Sequence, residues 1–530
     1  MGNYLNPGID GFVKTINSEI YIDKTGLLNY TNRVINTLQG YLCVSRPRRF
    51  GKSVTATMLA AYYSCECDSK ELFAPFEIAK SPDFETYLNQ YDTIFLNMQE
   101  FLSQSQDMDD MLALIRKSVL WELLEKYPAY RYFDNTNLPR TMQDIYNKSK
   151  RPFIVIIDEW DCVFREYKME QGAQEKYLDF LRDLLKDKAY IHLAYMTGIL
   201  PIKKYGTHSA LNMFDEFSML NPGPLASYVG FTETEVEILC KKYEMSFEEA
   251  SAWYNGYHLI SHGEGVRKVH SMYSPKSVVE AMMRHKFGTY WNQTETYEAL
   301  KIYIQINMDG LKDAVIEMLG GGSVRINIGT FGNDMTTFAN RDDILTLLVH
   351  LGYLTYDSEL ETVSVPDREV AQEYVNAITT MDWHEVTESI QESRKLLEAL
   401  WNLDGDAVAR GIDKAHKEIS ILQYNDENSL SCTVHLAFYF AREYYTIVRE
   451  LPTGKGYADI CFIPRKLYAD KPAVVIELKW DKSAEGAIAQ IKNKEYVEAL
   501  KDYHGNLLLA GINYDKKEKE HTCVIEQLVY

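Results

Sequence analysis

Three apolar runs set the pattern of the first 200 residues: Tyr41-Leu42-Cys43-Val44, Thr93-Ile94-Phe95-Leu96-Asn97-Met98 and Phe153-Ile154-Val155-Ile156-Ile157. A fourth, Ile191-His192-Leu193-Ala194-Tyr195-Met196-Thr197, repeats the type. Runs this short and this continuous predict strands buried on both faces. Between them, Val54–Tyr63, Met108–Tyr127 and about Ala173–Lys186 carry apolar residues at helical spacing. Strands alternating with helices predict a parallel sheet covered on both faces. Upstream, Glu19–Thr25 reads as a short strand running into a helix.

The pattern changes at Thr232, where helical spacing takes over, with Trp253-Tyr254-Asn255-Gly256-Tyr257-His258 and Tyr290-Trp291 as aromatic landmarks. Such aromatics read as packing in a helical lid. Gly320-Gly321-Gly322 reads as a flexible joint. Beyond it, a helix over Asp342–Leu351, a hairpin of Tyr353–Tyr356 with Thr362–Val365 and a helix over Asp367–Ala377 resemble a winged helix. That element carries no basic run, so a joining role is expected. A helix from Glu427 to Tyr444 then leads to strands at Tyr445–Leu451, Ala458–Ile463 and Ala473–Trp480, with a turn at Gly454-Lys455-Gly456. The expected division is 1–228, 229–320, 321–410 and 411–530.

At 530 residues the chain exceeds one core. It has the composition of a soluble globular protein, no apolar run near membrane length and no signal-peptide pattern at Met1-Gly2-Asn3-Tyr4-Leu5, so the cytoplasm is the expected compartment and no membrane is expected as a partner. The 8 cysteines are scattered and read as reduced thiols, Cys65-Glu66-Cys67 included. A net charge of −20 opposes non-specific nucleic-acid binding by the whole chain. From Ile421 to Tyr530, however, 14 Lys/Arg face 16 Asp/Glu, a net of −2, so the preceding 420 residues carry −18. The C-terminal part can therefore approach a phosphate backbone.

Chemistry gathers at two places. Arg46-Pro47-Arg48-Arg49-Phe50-Gly51-Lys52-Ser53 joins the first strand to the first helix and reads as a phosphate-binding loop. Gly51 admits backbone N–H groups to phosphate oxygens, Lys52, a side chain expected to face solvent without ligand, reaches the β/γ-phosphates, and Ser53 supplies a hydroxyl for Mg²⁺. Arg49 and Phe50 complete the loop, and Arg46 stands where the common pattern has its first glycine. Asp158 and Glu159 end the third strand, Asp158 to hold Mg²⁺ and Glu159 to polarise the attacking water. Thr197 ends the fourth strand, where it either senses the γ-phosphate or merely caps the strand. Gly198–Leu220, with Lys203, Lys204 and Ser209, is a candidate contact loop for phosphate or a neighbouring subunit.

The second place is Ile476-Glu477-Leu478-Lys479. Period-2 alternation puts Glu477 and Lys479 on one face, with Asp459 on the adjacent hairpin strand. Two carboxylates and an ammonium suit Mg²⁺ or Mn²⁺ and a scissile phosphate. The plainer reading is an ion pair on a solvated strand, against which stands the desolvation of charges inside a Val/Ile run.

The chain resembles the bacterial AAA-ATPase-like proteins that carry a C-terminal PD-(D/E)xK nuclease-superfamily domain. The N-terminal likeness rests on YIDKTGLL (Tyr21–Leu28), RPRRFGKS (Arg46–Ser53), IIDEWD (Ile156–Asp161) and MTGI (Met196–Ile199), extended by WYNGY (Trp253–Tyr257) and YW (Tyr290-Trp291). The C-terminal likeness rests on Glu427, GYAD (Gly456–Asp459), IELK (Ile476–Lys479) and AIAQIKNKEY (Ala487–Tyr496). The resemblance implies an α/β multidomain chain: a P-loop parallel sheet with helices on both faces, a helical and winged-helix-like middle, and a C-terminal α/β nuclease-like domain. It implies ATP as ligand, Asp459 and Glu477 as metal ligands, Lys479 as the residue that positions water or offsets phosphate charge, and Glu427 and Gln490 as supporting residues, Glu427 with a place in the ligand set. The expected activity is ATP binding and hydrolysis coupled to Mg²⁺- or Mn²⁺-dependent cleavage of nucleic acid, DNA favoured, with the oligomeric state left open. The alternative is a nucleotide-switched interaction protein whose nuclease fold only binds.

Overall fold

The computed structural model describes residues 2–202, 211–263, 266–291, 296–306, 308, 310–333, 335–336, 338–381, 384–418, 427–453, 456–465, 468–493 and 507–528. The chain divides into two compact units, one of residues 1–291 with 325–367 and the other of 292–324 with 368–530. Among the described residues no helix is long and apolar enough to cross a membrane. The cysteines are free thiols.

The first unit is built on five strands: β1 (Tyr41–Ser45), β2 (Asp92–Asn97), β3 (Phe153–Asp158), β4 (Ile191–Gly198) and β5 (Asp215–Phe217). Their order is β2-β3-β4-β1-β5, and every adjacent pair is parallel. Four of the five are the apolar runs of the sequence. β3 is buried at every position, as a strand covered on both faces must be. The chain leaves β1 through the helix Lys52–Tyr63 and re-enters the sheet at its far edge, so the strand order reverses at β1. The crevice at such a reversal, beyond the carboxyl ends of the strands, is where open α/β sheets take ligands.

Four expectations need correction, the last two of them in the second unit. Glu19–Thr25 forms no strand. Asp23 accepts hydrogen bonds from the N–H groups of Thr25 (2.8 Å) and Glu77 (2.7 Å), a side-chain turn that replaces ladder bonding. Lys24 is drawn 2.7 Å from Glu235 instead of into a strand pair. The lid segment is not helical throughout. Besides the helices Glu233–Lys242, Phe247–Tyr254 and Pro275–Arg284 it holds a sheet of β6 (Phe231–Thr232), β7 (Tyr257–Gly263) and β8 (Val266–Tyr273), ordered β6-β8-β7. Polar residues such as His258, Ser261 and Lys268 hide its alternation in the sequence.

Gly320-Gly321-Gly322 is a helix stop, not a loose joint. The N–H of Gly321 bonds the carbonyl of Met318 and that of Gly322 the carbonyl of Glu317, and Gly321 takes φ +82°.

The aromatic landmarks of the lid are core. Tyr254 and Tyr290 lie in one apolar cluster with Val236, Leu239, Tyr273 and Val278. The Tyr257 hydroxyl donates to the Gly352 carbonyl at 2.7 Å. The helix Arg341–Leu351 and the hairpin Thr355–Asp357 with Thr362–Ser364 form as expected. They lie in the first unit, whereas the following helix, Arg368–Thr379, lies in the second.

The second unit centres on strands Tyr445–Thr453, Gly456–Pro464, Ala473–Trp480, Leu507–Asp515 and Glu520–Leu528, side by side in that order. All pairs are antiparallel except Ala473–Trp480 with Leu507–Asp515, which is parallel and bridged by the helix Ala484–Asn493. Ile488 and Ile491 of that helix pack on Val475, Leu507 and Leu509. The helix expected to run from Glu427 to Tyr444 breaks into Glu427–Ala437 and Ala441–Tyr444, with the Phe440 N–H donated to the Ser393 hydroxyl at 2.9 Å between the pieces.

A Cβ on Gly256 would stand 1.5 Å from the Pro366 carbonyl oxygen, a backbone atom that cannot step aside. Gly256→Ala is therefore expected to destabilise the first unit by about 1–3 kcal/mol in urea unfolding. A change within 0.5 kcal/mol would show that the approach is not a constraint.

Candidate nucleotide and metal sites

The loop after β1 is shaped by two positive φ angles, +69° at Arg49 and +90° at Gly51, the latter capping the helix Lys52–Tyr63. Nothing lies within 4 Å of where a Gly51 Cβ would stand, so the opening over the helix N-terminus is clear. Arg46, in the place of the usual first glycine, is fully buried. Its Nη1 donates to the carbonyls of Ser45 (2.8 Å) and Phe217 (2.9 Å), tying the loop to β5, and burial pushes its pKa down to about 10.

The parallel register sets the far side of the site. Thr197 pairs with both Val44 and Asp158, so the ends of β1, β3 and β4 meet. Asp158 is 1% exposed, and burial raises its carboxyl to about 6, opposed by a hydrogen bond from Ser53 and by the charge of Lys52. The Thr197 hydroxyl is buried with no protein partner. A buried polar atom facing this junction, a carboxylate held by a hydroxyl and a free helix N-terminus fit Mg²⁺ and a triphosphate.

Lys52 departs from expectation. A side chain expected to face solvent is 5% exposed, its ammonium donating to the Pro47 carbonyl at 2.9 Å. The loop's own carbonyl takes the proton donor, and burial lowers the pKa against the pull of Glu159, Asp161 and Asp158.

Arg49 and Phe50 serve the loop differently from Lys52. Arg49 donates to the Tyr290 carbonyl at 3.2 Å, and Phe50 packs edge-on against Tyr257 at 5.2 Å, so both anchor the loop to the lid segment. Glu159, at φ +55°, pairs with Arg165. Sequence reasoning missed Asp161 and Arg165. Asp161 Oδ2 accepts from the N–H groups of Ile199 (3.0 Å) and Leu200 (2.9 Å), fastening the turn after Thr197. The acid three residues past Asp158 was legible as part of IIDEWD, but its backbone role was not. Lys203, Lys204 and Ser209 lie outside the described residues.

In the second unit Glu477 is 1% exposed within its strand. Its Oε1 accepts from Lys479 Nζ at 3.0 Å and from Gln490 Nε2. Asp459 lies one residue beyond the last registered pair, Ile460 with Ile476, and its Oδ2 takes the N–H of Leu478 at 2.7 Å. The two acids stand close enough to act together on Cys461, whose thiol is pushed up to about 12 by burial and then by Asp459 and Glu477.

The structure thus brings Asp459, Glu477, Lys479 and Gln490 together. Two carboxylates, one buried beside an ammonium, are a hard-oxygen donor set that fits Mg²⁺ or Mn²⁺. Among the described residues no group of three His, Cys, Asp or Glu side chains forms a metal site. Glu427 opens its helix, but its side chain lies outside the described residues, as do Gly454 and Lys455.

Fold and sites define a P-loop ATPase-like sheet and a nuclease-like sheet in one chain. Residues 6–207 match the family model of predicted AAA-ATPases, and residues 425–523 match that of the PD-(D/E)XK nuclease superfamily. The chain joins these two family segments. It is also similar to an uncharacterised protein from the vnfD 5′ region of Azotobacter chroococcum mcd 1, at 24% identity over 301 residues, and the match covers 54% of each chain.

Similar solved structures include a Walker-type ATPase of Pyrococcus abyssi, at 13% identity and a TM-score of 0.33 over 66% of this chain and 94% of that one. The ORC2 protein of Aeropyrum pernix with ADPNP and ADP follows at 12% and 0.29, over 68% and 96%. Scores this low leave the sheet order and the family models as the grounds for the fold.

Asp158 gives a pH test whose sign follows from its raised carboxyl. Below about pH 4 the group is protonated folded and unfolded, and the cost of burial is absent. Between pH 4 and 6 the folded chain keeps a proton that the unfolded chain loses, so stability falls as pH rises, and above 6 the full cost stands. Asp158→Asn should therefore stabilise the ligand-free chain by about 1–3 kcal/mol at pH 7.5 and by almost nothing at pH 4, measured by urea unfolding at both values. An equal effect at both pH values would contradict the assignment.

Proposed function

We propose that the first unit binds and hydrolyses Mg²⁺·ATP and that this is coupled to divalent-metal-dependent cleavage of nucleic acid, DNA favoured, by the second. The carrying observation is the meeting of Lys52, Ser53, Asp158, Glu159 and Thr197 at the ends of β1, β3 and β4. The Lys52 ammonium exchanges the Pro47 carbonyl for the β/γ-phosphate oxygens. Ser53 and Asp158 would hold Mg²⁺. Glu159 takes a proton from water as the water oxygen bonds to the terminal phosphorus and the bond to ADP breaks. The Thr197 hydroxyl, buried without a protein partner, would hold that water or the phosphate.

In the second unit Asp459 and Glu477 would hold Mg²⁺ or Mn²⁺, with Glu427 as a further ligand. Gln490 fixes Glu477, and Lys479 offsets charge that builds on the scissile phosphate. At both sites the ion, when bound, supplies charge neutralisation and a more acidic water. The second reading, a nucleotide-switched interaction protein, draws on the pairing of Glu159 with Arg165, which engages the proposed base.

Lys52→Ala is expected to abolish ATP binding in calorimetry, and unchanged affinity would remove the phosphate-loop reading. Glu159→Gln should keep ATP binding and lower hydrolysis by ~10²–10⁴-fold. On single- and double-stranded DNA and on RNA with Mn²⁺, Asp459→Ala should lose metal binding and cleavage, and Lys479→Ala only cleavage. Equal cleavage by wild type and both variants would end the nuclease reading.

A further inference from the structure

Arg165 is a cation at the proposed nucleotide site that the preceding scheme leaves without a task. It lies on the short helix Cys162–Glu166 just past β3, with 8% of its side chain exposed. Its guanidinium touches two carboxylates of unequal freedom. Nε stands 3.5 Å from Asp161 Oδ2, and Asp161 is fully buried and held by the Ile199 and Leu200 N–H groups. Nη2 pairs with Glu159, whose side chain is 25% exposed. The rear partner is fixed by the turn after Thr197, and the front partner is the proposed base.

Arg165 also stands near enough to the loop that its charge opposes protonation of both Arg48 and Lys52. The site therefore holds Lys52, Arg48 and Arg165 interleaved with Asp158, Glu159 and Asp161. A purely structural arginine would need only Asp161, its i,i+4 neighbour on the helix start. The planar guanidinium fork binds a phosphate as readily as a carboxylate, and a terminal phosphate carries more charge than Glu159.

We infer that Arg165 reads the terminal phosphate of ATP by exchanging Glu159 for it, so that ATP releases the Glu159 carboxylate and ADP leaves it pinned. The inference rests on the phosphate-loop reading and adds to it a residue that distinguishes triphosphate from diphosphate from within the same chain. No bond is made or broken in the exchange. One ion pair replaces another while Asp161 keeps its hold on Nε.

The test is calorimetric titration of the full chain with Mg²⁺·ADP and with Mg²⁺ and a non-hydrolysable ATP analogue, for wild type, Arg165→Gln and Arg165→Lys, with kcat and KM for ATP alongside. In wild type the analogue should bind more tightly than ADP. Arg165→Gln should weaken the analogue by about tenfold or more, the worth of a charge-assisted bond, and ADP by less than about threefold. Arg165→Lys, which keeps the charge beside Asp161 and so guards against misfolding, should recover part of the preference and raise KM less than it lowers kcat.

Equal weakening of ADP and analogue in Arg165→Gln, or no weakening of either, would overturn the inference while leaving the phosphate loop intact. Wild type that binds neither nucleotide would instead overturn the phosphate-loop reading, and this inference with it.

Discussion

A carboxylate buried at or near the carboxyl end of an apolar strand loses its hydration, and each unit is arranged around one such group. Asp158 and Glu477 are each 1% exposed. Neither position could survive as a bare charge. Asp158 is met by the Ser53 hydroxyl and the nearby Lys52, and Glu477 by Lys479 and Gln490. The strand alternation that puts Lys479 beside Glu477 and the parallel register that puts Thr197 beside Asp158 follow from that need as much as from chemistry.

The loop after β1 shows how far an unusual turn can be supported by arginines. Arg46 fastens the loop to β5, Arg49 fastens it to the segment carrying Tyr290, and Arg165 links Glu159 to the Asp161 anchor behind β4. Each directs a planar guanidinium at carbonyls or carboxylates, although Arg46 Nε and Nη2 and Arg165 Nε are buried without a hydrogen-bond partner. Lys52, held by the Pro47 carbonyl, is the member of the set whose present partner belongs to the loop itself.

Much of this was legible in the sequence because period and chemistry agreed. The continuous run Phe153–Ile157 specified a buried parallel strand, and Asp158 and Glu159 at its end followed directly. Glu477 and Lys479, two residues apart in a Val/Ile run, specified a shared face. What escaped was set by contacts distant in the chain. Glu19–Thr25 has the composition of a strand but no partner, because Asp23 bonds the backbone at Glu77. Gly320–Gly322 has the composition of a linker but closes a helix through its own N–H groups. Lys52 looked solvent-facing because a local pattern cannot show that Pro47 turns its carbonyl inward. Arg165, seven residues past Asp158, has no motif to mark it.

The proposed function requires two separate divalent-ion sites, only one of which needs nucleotide to be complete. Counting bound Mn²⁺ by electron paramagnetic resonance on the full chain tests it directly. The account predicts one ion without nucleotide, two with a non-hydrolysable ATP analogue, and loss of the nucleotide-independent ion alone in Glu477→Gln. A count that nucleotide leaves unchanged, or that Glu477→Gln leaves intact, would contradict it.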